Sequence, residues 1–465
     1  MPSKIIKGTG EPPLEVVIAG AGVAGLEALI ALDRLAGPRV RVELIAPEQE
    51  FVYRPLAVAE PFRLATPARV PLRELAERHG AHHRRDALGS VNPEQHTLQT
   101  TSGRVVHYEA LLLAMGTRPV EAVHGALTFR GPDDVAAFGR LLRELESGEV
   151  RSVAFALPER AQWPLPLYEL ALLSAAHLAA RGAAPIAWKL VTHEHAPLEA
   201  FGERASEEVA ELLQGAGIEF VGSRQPHLAK DGLLLLEDGD GLEAERVVAL
   251  PELQVPYFPG VPRGPGGFIP TDALGRVRGL RSVYAAGDAT TFPIKQGGLA
   301  AQQADAVAAE LAALAGVPVE RRPPDLRLRA ALLTGSAPRF LRATIADPDT
   351  TSTAGRNVLW WPPGKIAARH LAPYLAGRTG VAGEALTPLD DVETLLGEDP
   401  ETAEMDRRDA LELTLTMADM DATSGDYESA LGWLEVVEKL NVTLPPEYAE
   451  RRDEWTRARL RSGAE

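Results

Sequence analysis

The stretch LEVVIAGAGVAG at 14–25 constrains the fold of this chain more than any other. A short apolar run, Val16–Ala19, enters Gly20-x-Gly22-x-x-Gly25, and the helical stretch LEALIALDRLAG follows. Alone, a GxGxxG triplet is a weak signal; between a strand and a helix it is a strong one. The first glycine permits the tight turn and the second lets the backbone approach a pyrophosphate. The third lets helix and strand pack closely, with the helix N-terminus facing the phosphates. The pattern predicts a Rossmann-like α/β unit that holds a dinucleotide at Gly20, Gly22, Ala24 and Gly25. The second strand, VRVELIA, ends at Ala46 where an acid is expected, so Glu48 is the nearest carboxylate for a ribose hydroxyl.

Three further stretches extend this reading: FVYRPL at 51–56, LLLAMGTRP at 111–119, and RSVYAAGDAT at 281–290 leading into FPIKQGGLAAQQADAVAAEL. In the last, an apolar strand ends in Gly287-Asp288 and a loop leads to a helix starting near Gly297. An acid on a tight turn suits hydrogen bonding to a ribityl hydroxyl. A Gly-Gly helix start offers N–H groups and a positive dipole end to an electron-rich ring edge.

The set GAGVAG, AMGTRP, AAGDAT and KQGGLAAQQAD resembles the FAD-dependent pyridine nucleotide-disulfide oxidoreductase superfamily, flavoproteins with two dinucleotide domains. Within it the chain is most similar to type II NADH:quinone dehydrogenases and sulfide:quinone oxidoreductases, over about residues 14–375. The resemblance implies FAD held between the N-terminal Rossmann half and the Gly287-Asp288 segment. It puts Gly20, Gly22 and Gly25 on the pyrophosphate and Asp288 on the ribityl chain or pyrophosphate. Gly116 and Thr117 then lie where a strand crosses near the cofactor. Lys295, Gln296, Gly297 and Gly298 lie near the pyrimidine edge of the ring system, and Arg54 contacts the cofactor. Lys295 is the one residue read as catalytic, its charge stabilising the reduced ring.

The second unit departs from the family pattern. Its strand is SVAFAL, Ser152–Leu157, but the following PERAQWPLPLYELAL has no glycine between Pro158 and Leu173. Three prolines and Trp163 occupy the phosphate loop, where side chains and fixed φ angles obstruct a pyrophosphate. A helix near 167–181, the strand IAWKLVTH and FGERASEEVAELLQGAGIEFVG keep the α/β alternation. The fold is expected to survive while the nicotinamide site is lost. The chain also contains no cysteine, which excludes sulfur transfer and dithiol chemistry. What remains is an enzyme, an FAD-dependent oxidoreductase, passing electrons from an unidentified small-molecule donor to a quinone-like acceptor. VLWWPPGKIAARHLAPYLAG at 358–377 offers Trp360, Trp361 and Lys365 as an acceptor pocket, with core aromatics as the equal alternative. His370 reads as a surface or packing histidine, and the groups His79, His82, His83 and His193, His195 as solvated loops without a metal. One alternative function is an NAD(P)H:acceptor oxidoreductase with atypical nucleotide binding. Another is a flavin-bound interaction module.

Charge marks the last boundary. Of 65 acidic and 48 basic residues, 22 and 8 fall in 381–465, so the first 380 residues carry a net of only −3 against −17 for the chain. The acidic segment has helical i, i+3, i+4 spacing, and GDYESALGWLEVVEKL resembles half of a tetratricopeptide-type helix pair. Its acidity favours a protein partner over an anionic membrane, and the whole chain is a poor candidate for nucleic acid. No apolar run approaches the roughly 18 residues of a membrane span, and MPSKIIKGTGEPP lacks a secretory core, so a cytoplasmic protein, possible as a homodimer, is expected. The expected architecture is two nested Rossmann-like domains plus a C-terminal helical extension. Residues 1–120 and 256–325 form an FAD-binding domain, and 121–255 an NAD(P)-binding-like domain with a degenerate loop. Residues 326–380 form an interface region and 381–465 an acidic helical appendage.

Overall fold

The computed structural model describes residues 12–159, 161–356, 359–361, 364–375, 393–394 and most of 411–462. Its first sheet has five parallel strands in the order His82–Arg84, Val40–Ile45, Leu14–Ala19, Ala110–Leu113, Val283–Ala285. Numbered along the chain this is 3-2-1-4-5, the doubly wound order, whose crevice opens between Leu14–Ala19 and Ala110–Leu113. Val16 to Ala19 and Leu111 to Leu113 are buried throughout, because helices cover one face of the sheet and the antiparallel strands Leu88–Asn92, Thr97–Thr100 and Val105–His107 pack on the other. Helix α1 (Val23–Ala36) follows the first strand directly.

The second unit repeats the plan. Its parallel strands run Ile218–Val221, Ala187–Thr192, Ser152–Leu157, Arg246–Ala249, Leu127–Thr128. Helix α2 (Leu165–Ala180) follows Ser152–Leu157, so the helix forms although its preceding loop has no glycine. The chain leaves the first unit through Arg118–Val120 and returns through Glu252–Gln254, and these crossings pair antiparallel.

Helix α3 (Gly297–Leu314) completes the first unit by packing on α1. Small residues make the contact: Ala28 of α1 shares one buried cluster with Ala301, Ala304 and Ala308 of α3. An antiparallel sheet, Arg327–Leu332, Arg339–Thr344 and Thr353–Gly355, follows. It shares its core with the second unit through Leu328, Ala330 and Leu341. At the C-terminus, helices Tyr427–Lys439 and Pro446–Ser462 bury Trp433, Leu434 and Trp455 in a cluster of their own. Asp419 accepts from the Tyr448 hydroxyl at 2.6 Å and pairs with Arg451. The helical expectation for 401–410 lies outside the described residues. Among the described residues no helix is long and apolar enough to cross a membrane.

The first histidine group is not a solvated loop. His82 and His83 belong to an edge strand, His83 Nε2 lies 3.2 Å from the Ala46 carbonyl, and His79 Nδ1 lies 2.8 Å from Asp33. Edge position explains the polar sequence, since one side of such a strand faces water.

Two glycines of the opening turn separate folding from binding. A Cβ on Gly25 would lie 2.0 Å from the Gly20 carbonyl oxygen, whereas one on Gly22 would meet nothing within 4 Å. Gly25→Ala should therefore destabilise the apoprotein by roughly 1–3 kcal/mol through overpacking. Gly22→Ala should leave its denaturation midpoint unchanged while weakening dinucleotide binding, a pairing read by chemical denaturation and a binding titration.

Candidate active site

The cradle begins at the Gly20 turn. Gly20 has φ +108°, and a Cβ there would lie 2.3 Å from the Ala114 carbonyl oxygen, so the turn passes hard against the next strand end. Gly22 is the N-cap of α1, with no side-chain cap and no acid in the first turn. The amides at this helix start are thus left to an anionic group, and the space beside Gly22 admits one. Gly116 repeats the pattern at the end of Ala110–Leu113, with φ +67° and open space where a Cβ would stand. Thr117 beside it is half-buried, and Glu48 is exposed in the loop after the second strand.

Gly287 joins the two helix starts. At φ +80°, its absent Cβ would lie 3.2 Å from Ala24 Cβ on α1 and 3.3 Å from Ala300 Cβ on α3. Its N–H donates to Gln303 Oε1 at 2.9 Å. Asp288 follows on this turn; burial raises its pKa, while Lys295 and Arg54 pull it back down. The chemistry of this set, an open glycine turn, an uncapped helix start and an acid on a tight turn, fits FAD.

Lys295 is buried. Its Nζ donates to the carbonyl oxygens of Thr290 at 2.6 Å and Phe292 at 2.5 Å and sits 3.9 Å from the centre of the Phe268 ring. Burial lowers its pKa from 10.5 to about 8, and Asp288 opposes the shift. Gln296 caps α3: its Oε1 accepts from Leu299 N at 2.8 Å, and its Nε2 donates to Arg329 O at 3.0 Å. Gly297 and Gly298 lie against Ile366 and the Ala367 carbonyl, where added Cβ atoms would come within 3.2 Å.

A cavity of about 280 Å³ brings these groups to the second unit. Arg54, Asp288, Lys295, Gln296 and Gly297 line one side, and Phe129, Trp163, Leu165 and Leu253 the other. Glu169 of α2 and Lys365 complete the wall as a buried ion pair, Nζ contacting both carboxylate oxygens. Leu333 N also donates to Glu169, at 2.9 Å. Burial raises the Glu169 pKa and lowers that of Lys365, each shift opposed by the other group's charge. Gln162, also on the wall, has a buried Oε1 with no hydrogen-bond partner among the described residues.

The expected acceptor residues separate. Lys365 lines the cavity, but Trp360 is fully buried against Phe340, with ring centroids 5.2 Å apart, and is not part of the lining. Trp361 is placed by its strand pairing with Thr394, and its side chain lies outside the described residues. His370 is a packing histidine, buried with Nδ1 3.3 Å from Arg34. Glu169 escaped the sequence reading. Its signal was a lone acid within LPLYELALLSAA, where an unpaired charge would be expensive to bury.

No protein-family model matches the sequence, and no curated protein matches it significantly. Solved structures do. The chain is similar to the sulfide:quinone oxidoreductase of Aquifex aeolicus at 18% identity and a TM-score of 0.67, covering 74% of this chain and 86% of that one. It is similar to the ferredoxin reductase of the CYP199A2 system from Rhodopseudomonas palustris at 21% identity, TM-score 0.52, covering 70% and 81%. The reduced Bacillus anthracis CoADR-RHD matches at 15% identity, TM-score 0.52, covering 71% and 61%. The chain shares its fold with these solved structures. At these identities the likeness establishes fold, and the site must be argued from its own residues.

Two outcomes check the electrostatics. Because the Lys295 pKa is lowered in the folded state, the unfolded chain holds a proton that the folded chain releases between about pH 8 and 10.5. Stability conferred by this group therefore rises with pH through that window, and Lys295→Met should flatten the rise in denaturation midpoints. Lys365→Met leaves Glu169 buried without its cation and should cost about 3–5 kcal/mol. The double variant Glu169→Leu, Lys365→Met should recover most of that loss in the same denaturation assay.

Proposed function

We propose that this protein is an FAD-dependent oxidoreductase whose flavin is reduced by a donor other than free NAD(P)H and reoxidised by a quinone-like acceptor. The observation that carries this reading is the contrast between its two dinucleotide loops. In the first unit the glycine turn leaves space beside Gly22. In the second, Trp163 packs on Phe201 at 6.0 Å, and the Gln162 carbonyl accepts from Lys295 N at 3.2 Å, tying the loop to the first unit. The acid after Ala187–Thr192 is also committed elsewhere. Glu194 accepts from the Tyr168 hydroxyl at 2.7 Å and Thr192 Oγ1 at 3.1 Å, and burial pushes its pKa up to about 7. A ribose hydroxyl would have to displace those bonds.

FAD, when bound, supplies the two-electron chemistry. The Gly20–Gly25 turn and the start of α1 hold the pyrophosphate, and Asp288 accepts from a sugar or ribityl hydroxyl. Lys295 supplies positive charge beside the ring while it stays protonated, below about pH 8. Phe129, Trp163, Leu165 and Leu253 give a flat, apolar ring a matching wall and exclude water. Glu169 and Lys365 form the charged part of that wall; burial raises the proton affinity of the first and lowers that of the second, and each partner's charge opposes the shift. A proton on Lys365 Nζ can pass to an acceptor oxygen as charge develops there. The acidic C-terminal segment, 381–465, is proposed to recruit a protein partner.

Purified protein should show flavin absorption bands that anaerobic NADH and NADPH leave unbleached, and chemically reduced protein should be reoxidised by short-chain quinones. Rapid bleaching by either nucleotide would restore NAD(P)H as donor. Colourless protein that takes up no FAD would sink the proposal.

A further inference from the structure

The helices that open the two units each carry a glutamate as their fifth residue, Glu27 in α1 and Glu169 in α2. Both are fully buried. Both reach outside their own sheets to one short segment, 364–371. Glu169 takes the Lys365 ammonium at one end. At the other, Glu27 Oε1 accepts from His370 N at 2.8 Å and Oε2 from Leu371 N at 2.6 Å. Between these ends, Ile366 N donates to the Tyr53 hydroxyl at 3.0 Å. Burial raises the Glu27 pKa, and the backbone N–H bonds of His370, Leu371 and Arg369, with the Asp305 side chain of α3, oppose that shift. The carboxylate thus draws most of its backbone hydrogen bonds from this segment, just as the segment's amides depend on it.

We infer that Glu27 is a positioning residue for Lys365. It fixes the C-terminal end of 364–371, and through that backbone it fixes where the Lys365 ammonium stands in the cavity wall. The geometry has a clear logic. Lys365 belongs to neither parallel sheet, so neither sheet's own hydrogen bonds set its position. A long, four-carbon side chain reaching a carboxylate from an unanchored segment would spread over many rotamers. Tyr53 and Glu27 remove that freedom by holding the backbone on the first unit while Glu169 holds the side chain on the second. The segment is consequently a tie between the two units, and the charge pair in the cavity registers how they sit. The functional weight of this arrangement rests on the proposed reading of the cavity as the electron-transfer site, but its geometry does not.

The test reads the segment directly and needs neither donor nor bound cofactor. Glu27→Ala and Glu27→Gln would be followed by amide hydrogen exchange and by acylation of Lys365 with an amine-reactive reagent, located by mass spectrometry. In Glu27→Ala, exchange should rise at His370 and Leu371 and extend to Ile366. Lys365 labelling should increase about tenfold, the factor expected from losing a charged hydrogen bond. Glu27→Gln keeps a carbonyl acceptor and should fall between that variant and the parent. Glu169→Gln should expose Lys365 while His370 and Leu371 stay protected, separating the two anchors. If Glu27→Ala fails to fold, Glu27→Gln carries the same readings. Faster exchange at His370 and Leu371 with unchanged Lys365 labelling would overturn the inference, leaving Glu27 a local cap. Bleaching by NADH would refute the proposed donor without touching these outcomes.

Discussion

Everything at the proposed flavin site depends on how closely two helix starts approach one turn. Gly287 lies between Ala24 and Ala300 with room for a hydrogen where a methyl would be crowded. Two helix N-termini therefore point their partial positive charges at one region, an arrangement that repels unless negative charge is supplied. Asp288 supplies one such charge, and a pyrophosphate would supply the rest. The two starts are not equivalent. Gln296 takes up the Leu299 amide at the start of α3, whereas no side chain caps α1.

Much of this was legible in the sequence because it is local. The strand–glycine turn–helix unit, the Gly287-Asp288 turn and the helix from Gly297 are set by residues a few positions apart, and the structure has each of them. The α/β alternation of the second unit persisted without its glycines, since the helix of α2 needs only its apolar run. Pairings over hundreds of residues were not legible. Glu169 meets Lys365 across 196 positions and Glu27 meets His370 across 343, and no spacing rule announces either contact. Lys365 and Trp360 are expected to share one pocket, yet Lys365 lines the cavity while Trp360 packs on Phe340. Adjacency in sequence implied a shared wall that the backbone does not build.

The charge imbalance acquires a physical partition. The parallel sheets and their helices carry near-balanced charge, and their buried acids are each committed to named partners. The C-terminal helices instead form a core of their own around Trp433 and Trp455, and most of the acidic excess of 381–465 lies in the sequence before them.

Buried ion pairs are poor sources of stability, because removing two charges from water offsets most of their attraction. The Glu169–Lys365 pair is therefore better understood by what it specifies than by what it stabilises. An apolar replacement would pack well but would leave the second unit free to slide along the first. A salt bridge across the cavity penalises such sliding steeply, since a displaced partner leaves a charge without compensation. With Tyr53 and Glu27 holding the same segment from the other side, the cavity wall has one geometry rather than several. The same burial that makes the pair costly raises the proton affinity of Glu169 and lowers that of Lys365. Positional specificity and the proposed proton transfer thus rest on one desolvated contact.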